Sequence, residues 1–407
     1  MKRMNGYHFF FLWFGGAISI SEILSGSLLV PLGLTQGLTA VIIGHLLGTA
    51  ILVLGGIIGT RERVPAIAST RFVFGSFGSY LFSALNVLQL VGWTAVMILV
   101  GANSLNLITT KLWDFDHFTF WGIVIGALIC VWIGLGRVGM KWLNTAAACL
   151  LCLLTVVLSV VVFQNGSLFA DSTKSQMAFG SGLELTIVMP LSWLPLIADY
   201  SRFAKTAKGA AVGSGLGYFI GSSWMYAIGL IAALGGDTVN PGAMMAAANL
   251  GISAVGIVLL STVTTTFLDA YSAGVSFLNL TKKWREKTIA IFVGIMGTML
   301  AVLIPITQYQ NFLYMIGSVF APLFAIVLTD YFIVGRGRGM REHFLVNWGA
   351  ILIWLVGVGF YQYFVSFPFI LGATIPTMIL TGGIYAGTWH WVKGWKFVKK
   401  TTESLPR

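Results

Sequence analysis

The residues best placed to do chemistry in this chain are acids and hydroxyls set in apolar sequence. Glu22, Asp199, Asp269 and Asp330 each stand within a long run of aliphatic, aromatic and small residues. An ionisable group at membrane depth marks a substrate path, an ion path or a gate. The stretch Ser261-Thr262-Val263-Thr264-Thr265-Thr266 is almost entirely hydroxyl-bearing, and Ser261, Thr264 and Thr265 fall at i, i+3 and i+4, on one helical face. Sodium, like other hard cations, takes several oxygen ligands, which this face and the carbonyls of an unwound helix could supply together. The alternative is that the hydroxyls bond back to their own helix. Trp93 and Trp193 lie away from the span ends where tryptophan usually anchors. Two such rings can sandwich a planar heterocycle. Gln89 and Ser192, close to them in sequence, offer donors and acceptors for a ring edge.

The elements that position these groups follow from composition. The 407 residues are 57% hydrophobic and only 9% charged, against about a quarter charged in a soluble domain. The chain is therefore an integral membrane protein, with about twelve apolar runs long enough for a spanning helix. They fall near residues 9–29, 39–59, 80–107, 120–136, 143–163, 183–203, 210–234, 252–280, 288–306, 312–334, 344–366 and 367–389. The first run is long, carries polar residues at its middle and lacks a small-residue cleavage pattern, so it does not read as a signal peptide. With the N-terminus in the cytoplasm, every Lys and Arg except Lys111 and Lys174 lies in a cytoplasmic loop or tail. That bias predicts cytoplasmic N- and C-termini in a cell inner (plasma) membrane. It also explains the net charge of +11 through anionic lipid headgroups, without nucleic acid. Cys130, Cys149 and Cys152 all lie in apolar runs and imply neither disulfide nor zinc.

Two spans carry signs of a break. The first contains Gly15-Gly16-Ala17-Ile18-Ser19-Ile20-Ser21-Glu22, and the sixth has Pro190 and Pro195 around Ser192-Trp193, each proline removing a backbone donor. Helices broken at membrane depth line a cavity or are buried in protein. Breaks in spans one and six fit two inverted repeats of five helices around a mid-membrane site; simple kinks are the alternative. Glu22 would fall just past the first break, as a gate or a proton carrier. Asp199 and Asp330, near helix ends, read as ion-paired structural or gating residues. No GxSxG elbow, P-loop GK or HExxH occurs, and Gly134, Gly136 and Gly139 form a GxGxxG string outside any βαβ context. No enzymatic constellation is legible, and no cofactor is implied. A membrane-embedded enzyme or a passive channel is the rival from another class.

With these residues in view, the chain resembles the nucleobase:cation symporter-1 family, cytosine permeases most clearly. The resemblance runs through Gly92-Trp93, Ala198-Asp199-Tyr200-Ser201-Arg202-Phe203 with Ala207-Lys208, then Tyr271, Gly274, Phe277 and Asn279-Leu280-Thr281. It continues in Ala321-Pro322, Asp330-Tyr331 and Val346-Asn347-Trp348. It implies an all-α LeuT-type fold in a single transporter domain over residues 1–407, with repeats at 9–163 and 183–334 and two peripheral helices at 344–389. Carried over by position, Gly15 and Ile18 would give carbonyls to sodium, and Ser261, Thr264 and Thr265 further oxygens. Trp93 and Trp193 would stack on the substrate, and Gln89 and Ser192 would bond its edge. Thr266-Phe267-Leu268 replaces the Asn/Asp-rich stretch of cytosine permeases, and Gln89 sits one place from their glutamine. The chain is similar to the branch assigned to hydroxymethylpyrimidine. The expectation is a sodium-coupled importer of a small pyrimidine working by alternating access, the alternative a cytosine or purine permease, or one coupled to protons through Glu22.

Overall fold

The computed structural model describes residues 3–165, 177–236, 240–247, 249–303, 309–335, 344–367 and 369–397, without the side chains of 136–147, 154 and 161–165. The helices are α1 (Gly6–Ala17), α2 (Ile20–Ser27), α3 (Gly33–Glu62), α4 (Arg71–Trp113), α5 (Phe118–Asn165), α6 (Phe179–Ser192), α7 (Leu194–Ser201) and α8 (Ala207–Gly236). They continue as α9 (Pro241–Ala247), α10 (Ile252–Leu280), α11 (Glu286–Leu303), α12 (Tyr309–Thr329), α13 (Trp348–Ser366) and α14 (Thr374–Gly394). Among the described residues, 9 helical stretches are long and apolar enough to cross a membrane. Their outward side chains are large and apolar, as at Leu46, Leu88, Ile123, Phe292 and Leu352, which suits lipid rather than water. The expected fifth span lies within α5, where Ala148–Val160 forms a shorter apolar stretch. Where the last span was expected, α14 runs from Thr374 to Gly394 and is not among the 9 stretches.

Small residues set the closest packing. Gly213 and Gly217 of α8 stand directly against the carbonyls of Gly6 and Phe10, and a Cβ on Gly221 would come within 3.0 Å of the Ala17 side chain and 3.1 Å of the Phe14 carbonyl. A stripe at every fourth position of α8 thus lets the α1 backbone approach where a Cβ would block it. Gly26 of α2 and Gly229 of α8 repeat this reciprocally, against Tyr226 and Ile23. The first span and α8 are thereby one body.

Helices α4 and α10 run antiparallel and are fastened by polar pairs. Asn86 donates to Ser276 at 2.7 Å, Asn279 donates to Ser83 at 2.8 Å and to Ser79 at 3.1 Å, and Gly101 lies against Thr262. This register sets Trp93 level with Asp269. A two-stranded ribbon, Val346–Asn347 with Lys396–Phe397, ties the start of α13 to the end of α14.

Candidate functional site

The first span unwinds where the sequence predicts. Ile18 adopts φ −77° and ψ 85°, and Ser19 is extended. The Ser19 amide turns to the Ala17 carbonyl at 2.9 Å, so the Gly15 carbonyl loses its helical donor. The Glu22 amide turns to the Ser19 hydroxyl at 3.3 Å, and Ile18 loses its donor in the same way. A hydroxyl at Ser19 thus starts α2 as an N-cap, and two main-chain oxygens are freed at the break. Thr265 comes to the same place, its hydroxyl donating to the Gly16 carbonyl at 3.2 Å. Ser261 and Thr264 lie on the adjoining turn of α10, their hydroxyls donating back to Val258 at 3.2 Å and Leu260 at 2.8 Å. Each keeps its oxygen lone pairs free to accept a cation.

The sixth span is interrupted more gently. Trp193 keeps right-handed helical angles between α6 and α7. The cause is proline placement: Pro195 sits in the first turn of α7, where a missing amide costs nothing, yet it deprives Leu191 of its i+4 donor. This break is a hinge of one residue and not an unwound segment. Ser192 donates its hydroxyl to the Met189 carbonyl at 2.6 Å, so it can only accept from a ligand.

Trp193 packs edge-on against Trp13 of α1 at 5.6 Å and against Tyr218 at 6.4 Å. Trp93 packs edge-on against Phe312 at 5.3 Å and Tyr309 at 6.1 Å. Among the described residues no ring contact joins the two tryptophans. Trp13 and Tyr200 draw the two breaks together, with centroids 6.1 Å apart, and Tyr200 donates to the Leu268 carbonyl of α10 at 2.9 Å. Tyr309 also closes over α2, its hydroxyl 2.9 Å from that of Ser25. Trp93, Trp193, Gln89 and Thr264 are all buried, between 4 and 7% exposed.

Near Trp93, Gln89 and Asp269 carry acceptors that lack a donor among the described residues. Gln89 gives its amide to Asn86 at 2.8 Å, leaving Oε1 buried and unpaired. Asp269 is 3% exposed and its carboxylate makes no hydrogen bond among the described residues. A buried carboxylate without a donor is costly to the fold alone.

The other acids are differently placed. Asp199 accepts the Ala66 amide at 3.0 Å, holding the α3–α4 connection, while Arg202 Nε donates to the Asp199 main-chain carbonyl rather than to the carboxylate. Asp330 accepts from Tyr385 of α14 at 2.7 Å, far along the chain from either break. Ala66 satisfies only one Asp199 oxygen, and Oδ2 is buried without a partner. Glu22 lies in the first turn of α2, as expected, and accepts from Tyr218 and Ser222 of α8.

Residues 2–388 match the family described as permease for cytosine/purines, uracil, thiamine, allantoin. The chain belongs to this permease family. The cytosine permease of Escherichia coli (strain K12) is 28% identical over 354 residues, covering 84% of this chain and 81% of that protein. The hydantoin permease of Microbacterium maritypicum is 22% identical over 440 residues, covering 96% and 85%. Among solved structures, Mhp1, a nucleobase-cation-symport-1 family transporter in a closed conformation with bromovinylhydantoin bound, superposes with a TM-score of 0.82 at 18% identity, covering 98% of this chain and 95% of that one. A substrate-bound, outward-open Na+-coupled sialic acid symporter gives 0.69 at 13% identity, covering 95% and 90%. The fold is therefore that of the broken-helix transporters.

Four residues of this permease carry more than the sequence reading gave them. Trp13 and Tyr200 join the two breaks, His45 contacts Ser222, and Glu184 anchors α6 to the α13–α14 turn. His45 and Glu184 are ionisable groups inside apolar runs, a signal available from sequence and applied only to the four aspartates and glutamates named above. Trp13 and Tyr200 had no comparable mark.

Proposed function

We propose that this permease is a secondary active symporter that imports an aminopyrimidine, hydroxymethylpyrimidine being the expected substrate, together with sodium. The observation that carries the reading is a pair of acceptors near Trp93: Gln89 Oε1, buried without a donor, and the Asp269 carboxylate, 3% exposed and without a hydrogen bond among the described residues. They suit a planar ligand that brings donors. An amino group beside a protonated ring nitrogen pairs with a carboxylate through two parallel charge-assisted hydrogen bonds. Uracil would instead turn carbonyl lone pairs toward the same oxygens. Trp93 and Trp193 supply aromatic faces for the ring, and Ser192 an acceptor on its other side.

For sodium, the freed carbonyls of Gly15 and Ile18 and the oxygens of Ser261, Thr264 and Thr265 form a neutral oxygen set of the kind hard cations take. Occupation would replace the Thr265 hydroxyl bond to Gly16 and fix α10 against the break in the first span. That fixes the wall on which Asp269 stands. Alternating access then follows as rocking of the α1–α2–α8 body, hinged at Trp193, against α4 and α10, in a fold of two inverted repeats with both termini in the cytoplasm of the cell that holds it.

The test is tryptophan fluorescence of the purified protein titrated with hydroxymethylpyrimidine, cytosine, uracil, hypoxanthine and thiamine, with and without sodium. Linkage requires that sodium raise substrate affinity by the factor by which substrate raises sodium affinity. Quenching by hydroxymethylpyrimidine that strengthens in sodium is expected. Quenching by uracil alone would overturn the carboxylate reading, and indifference to sodium would overturn the ion site.

A further inference from the structure

A fully buried polar chain joins α2, α3 and α8. Glu22 of α2, His45 of α3, and Tyr218 and Ser222 of α8 are each at most 1% exposed. Tyr218 donates to one Glu22 oxygen at 2.9 Å, Ser222 Oγ lies 2.8 Å from the other, and the same Oγ lies 2.6 Å from His45 Nε2. His45 Nδ1 is 2.8 Å from the Val41 carbonyl. A carbonyl only accepts, so Nδ1 carries a hydrogen.

Counting hydrogens fixes the rest. Ser222 has one hydrogen and two neighbours. If it donates to ionised Glu22, Nε2 must donate to the serine oxygen, and His45 is an imidazolium. If it donates to Nε2, Glu22 must donate to the serine oxygen, and Glu22 is a neutral acid. Either way Glu22 and His45 together hold one dissociable proton. The two forms interconvert when the acid proton passes to Ser222 Oγ while the serine proton passes to Nε2, with no net change in atoms or charge. With ionised Glu22 and neutral imidazole, one of the two short contacts would set lone pair against lone pair.

We propose that Glu22, Ser222 and His45 form a single-proton binding site, shared across the serine hydroxyl, that fastens the outer half of the broken first span to α3 and α8. The other titratable side chains whose charge reaches Glu22 are Tyr218 and Tyr226 of α8 and Tyr309 of α12, phenols that stay neutral at physiological pH. Among the described residues no Lys or Arg bonds to it. The α2 N-terminus favours the ionised acid, and burial favours the neutral one, so proton sharing resolves opposed demands. The site does not rest on the proposed substrate or ion.

The test is thermal unfolding in detergent against pH, without substrate or sodium, for the wild type and Glu22→Gln. An unfolded chain holds no proton on this Glu or His above about pH 6.5 and one between about 4.3 and 6.5. The folded wild type holds one throughout. Its stability contribution is therefore flat in the middle range and falls as pH rises above about 6.5. In Glu22→Gln the amide donates to Ser222, His45 stays neutral, and the contribution rises to about pH 6.5 and then levels. The two curves should differ in slope by one proton across this range, other groups cancelling. Parallel curves overturn the proposal. Should the variant not fold, wild type carrying 13C-carboxyl glutamate and 15N histidine is measured by NMR at pH 8.5. One protonated glutamate or one imidazolium is expected; fully ionised glutamates with only neutral imidazoles overturn it.

Discussion

Glu184 and Asp269 are two buried carboxylates with opposite surroundings. Glu184, in the first half of α6, accepts from the Tyr361 hydroxyl, the Ala373 and Thr374 amides and the Thr374 hydroxyl, each at 2.7 Å. Two of those donors are the amides at the start of α14, where an anion meets the positive end of the helix. Asp269, on α10 level with Trp93, accepts from none of the described residues. Both carry the cost of burying an acid, and only one recovers it within the protein. The comparison sets an acid whose partners are all supplied by the protein against one that, in the proposed reading, takes its donors from the substrate.

Truncating Glu184 should give the largest effect. Glu184→Ala leaves a buried phenol, a hydroxyl and two amides without their acceptor, and each donor stranded this way costs about 1–3 kcal/mol. We expect a loss of at least roughly 3 kcal/mol in stability, read as a large fall in melting temperature and in the yield of folded protein. A melting temperature equal to wild type would break the comparison. Asp269→Asn should do the reverse: stability holds or rises, because an unpaired carboxylate is replaced by a neutral amide, while substrate affinity falls about tenfold to a hundredfold. Isothermal titration beside a melting curve reads both, and a destabilised variant with wild-type affinity would sink the assignment. Thr265→Ala is the smallest. It removes one hydroxyl from the break in the first span and should lower apparent sodium affinity by roughly fivefold, about 1 kcal/mol, with little change in folding. Sodium dependence of uptake identical to wild type would move the ion elsewhere.

Much of the fold was legible. The Gly15-Gly16 pair and Ser19 marked the unwinding of the first span, because glycine weakens the helix and a serine hydroxyl can start a new one. The prolines marked the sixth span, although the degree of break depended on where each fell in its helix. Pro195 lies where an amide is dispensable, so only Trp193 serves as the hinge. That Ser261, Thr264 and Thr265 share one face of α10 followed from helical periodicity, whereas the contact of Thr265 with the Gly16 carbonyl depends on how α10 packs against the first span. The partners of the tryptophans could not be read from periodicity. Trp93 and Trp193 each pack at a steep angle against a separate aromatic cluster. Those clusters draw on Trp13, Tyr218, Tyr309 and Phe312, which come from different spans.

Sequence alone determined the quantities that depend on local chemistry and on one dimension. These are the apolar runs, the basic loops, the break positions and the hydroxyl face of α10. Tertiary structure decided which buried charges are satisfied, because a carboxylate's partners come from helices distant in the chain. Glu184 meets residues 361, 373 and 374, and Glu22 meets Tyr218, Ser222 and, through the serine, His45. Asp269 looks much like them in sequence, an acid in an apolar helix. Only the register of α10 against α4 and the first span, set by Asn86, Asn279 and Gly16, leaves it without a donor.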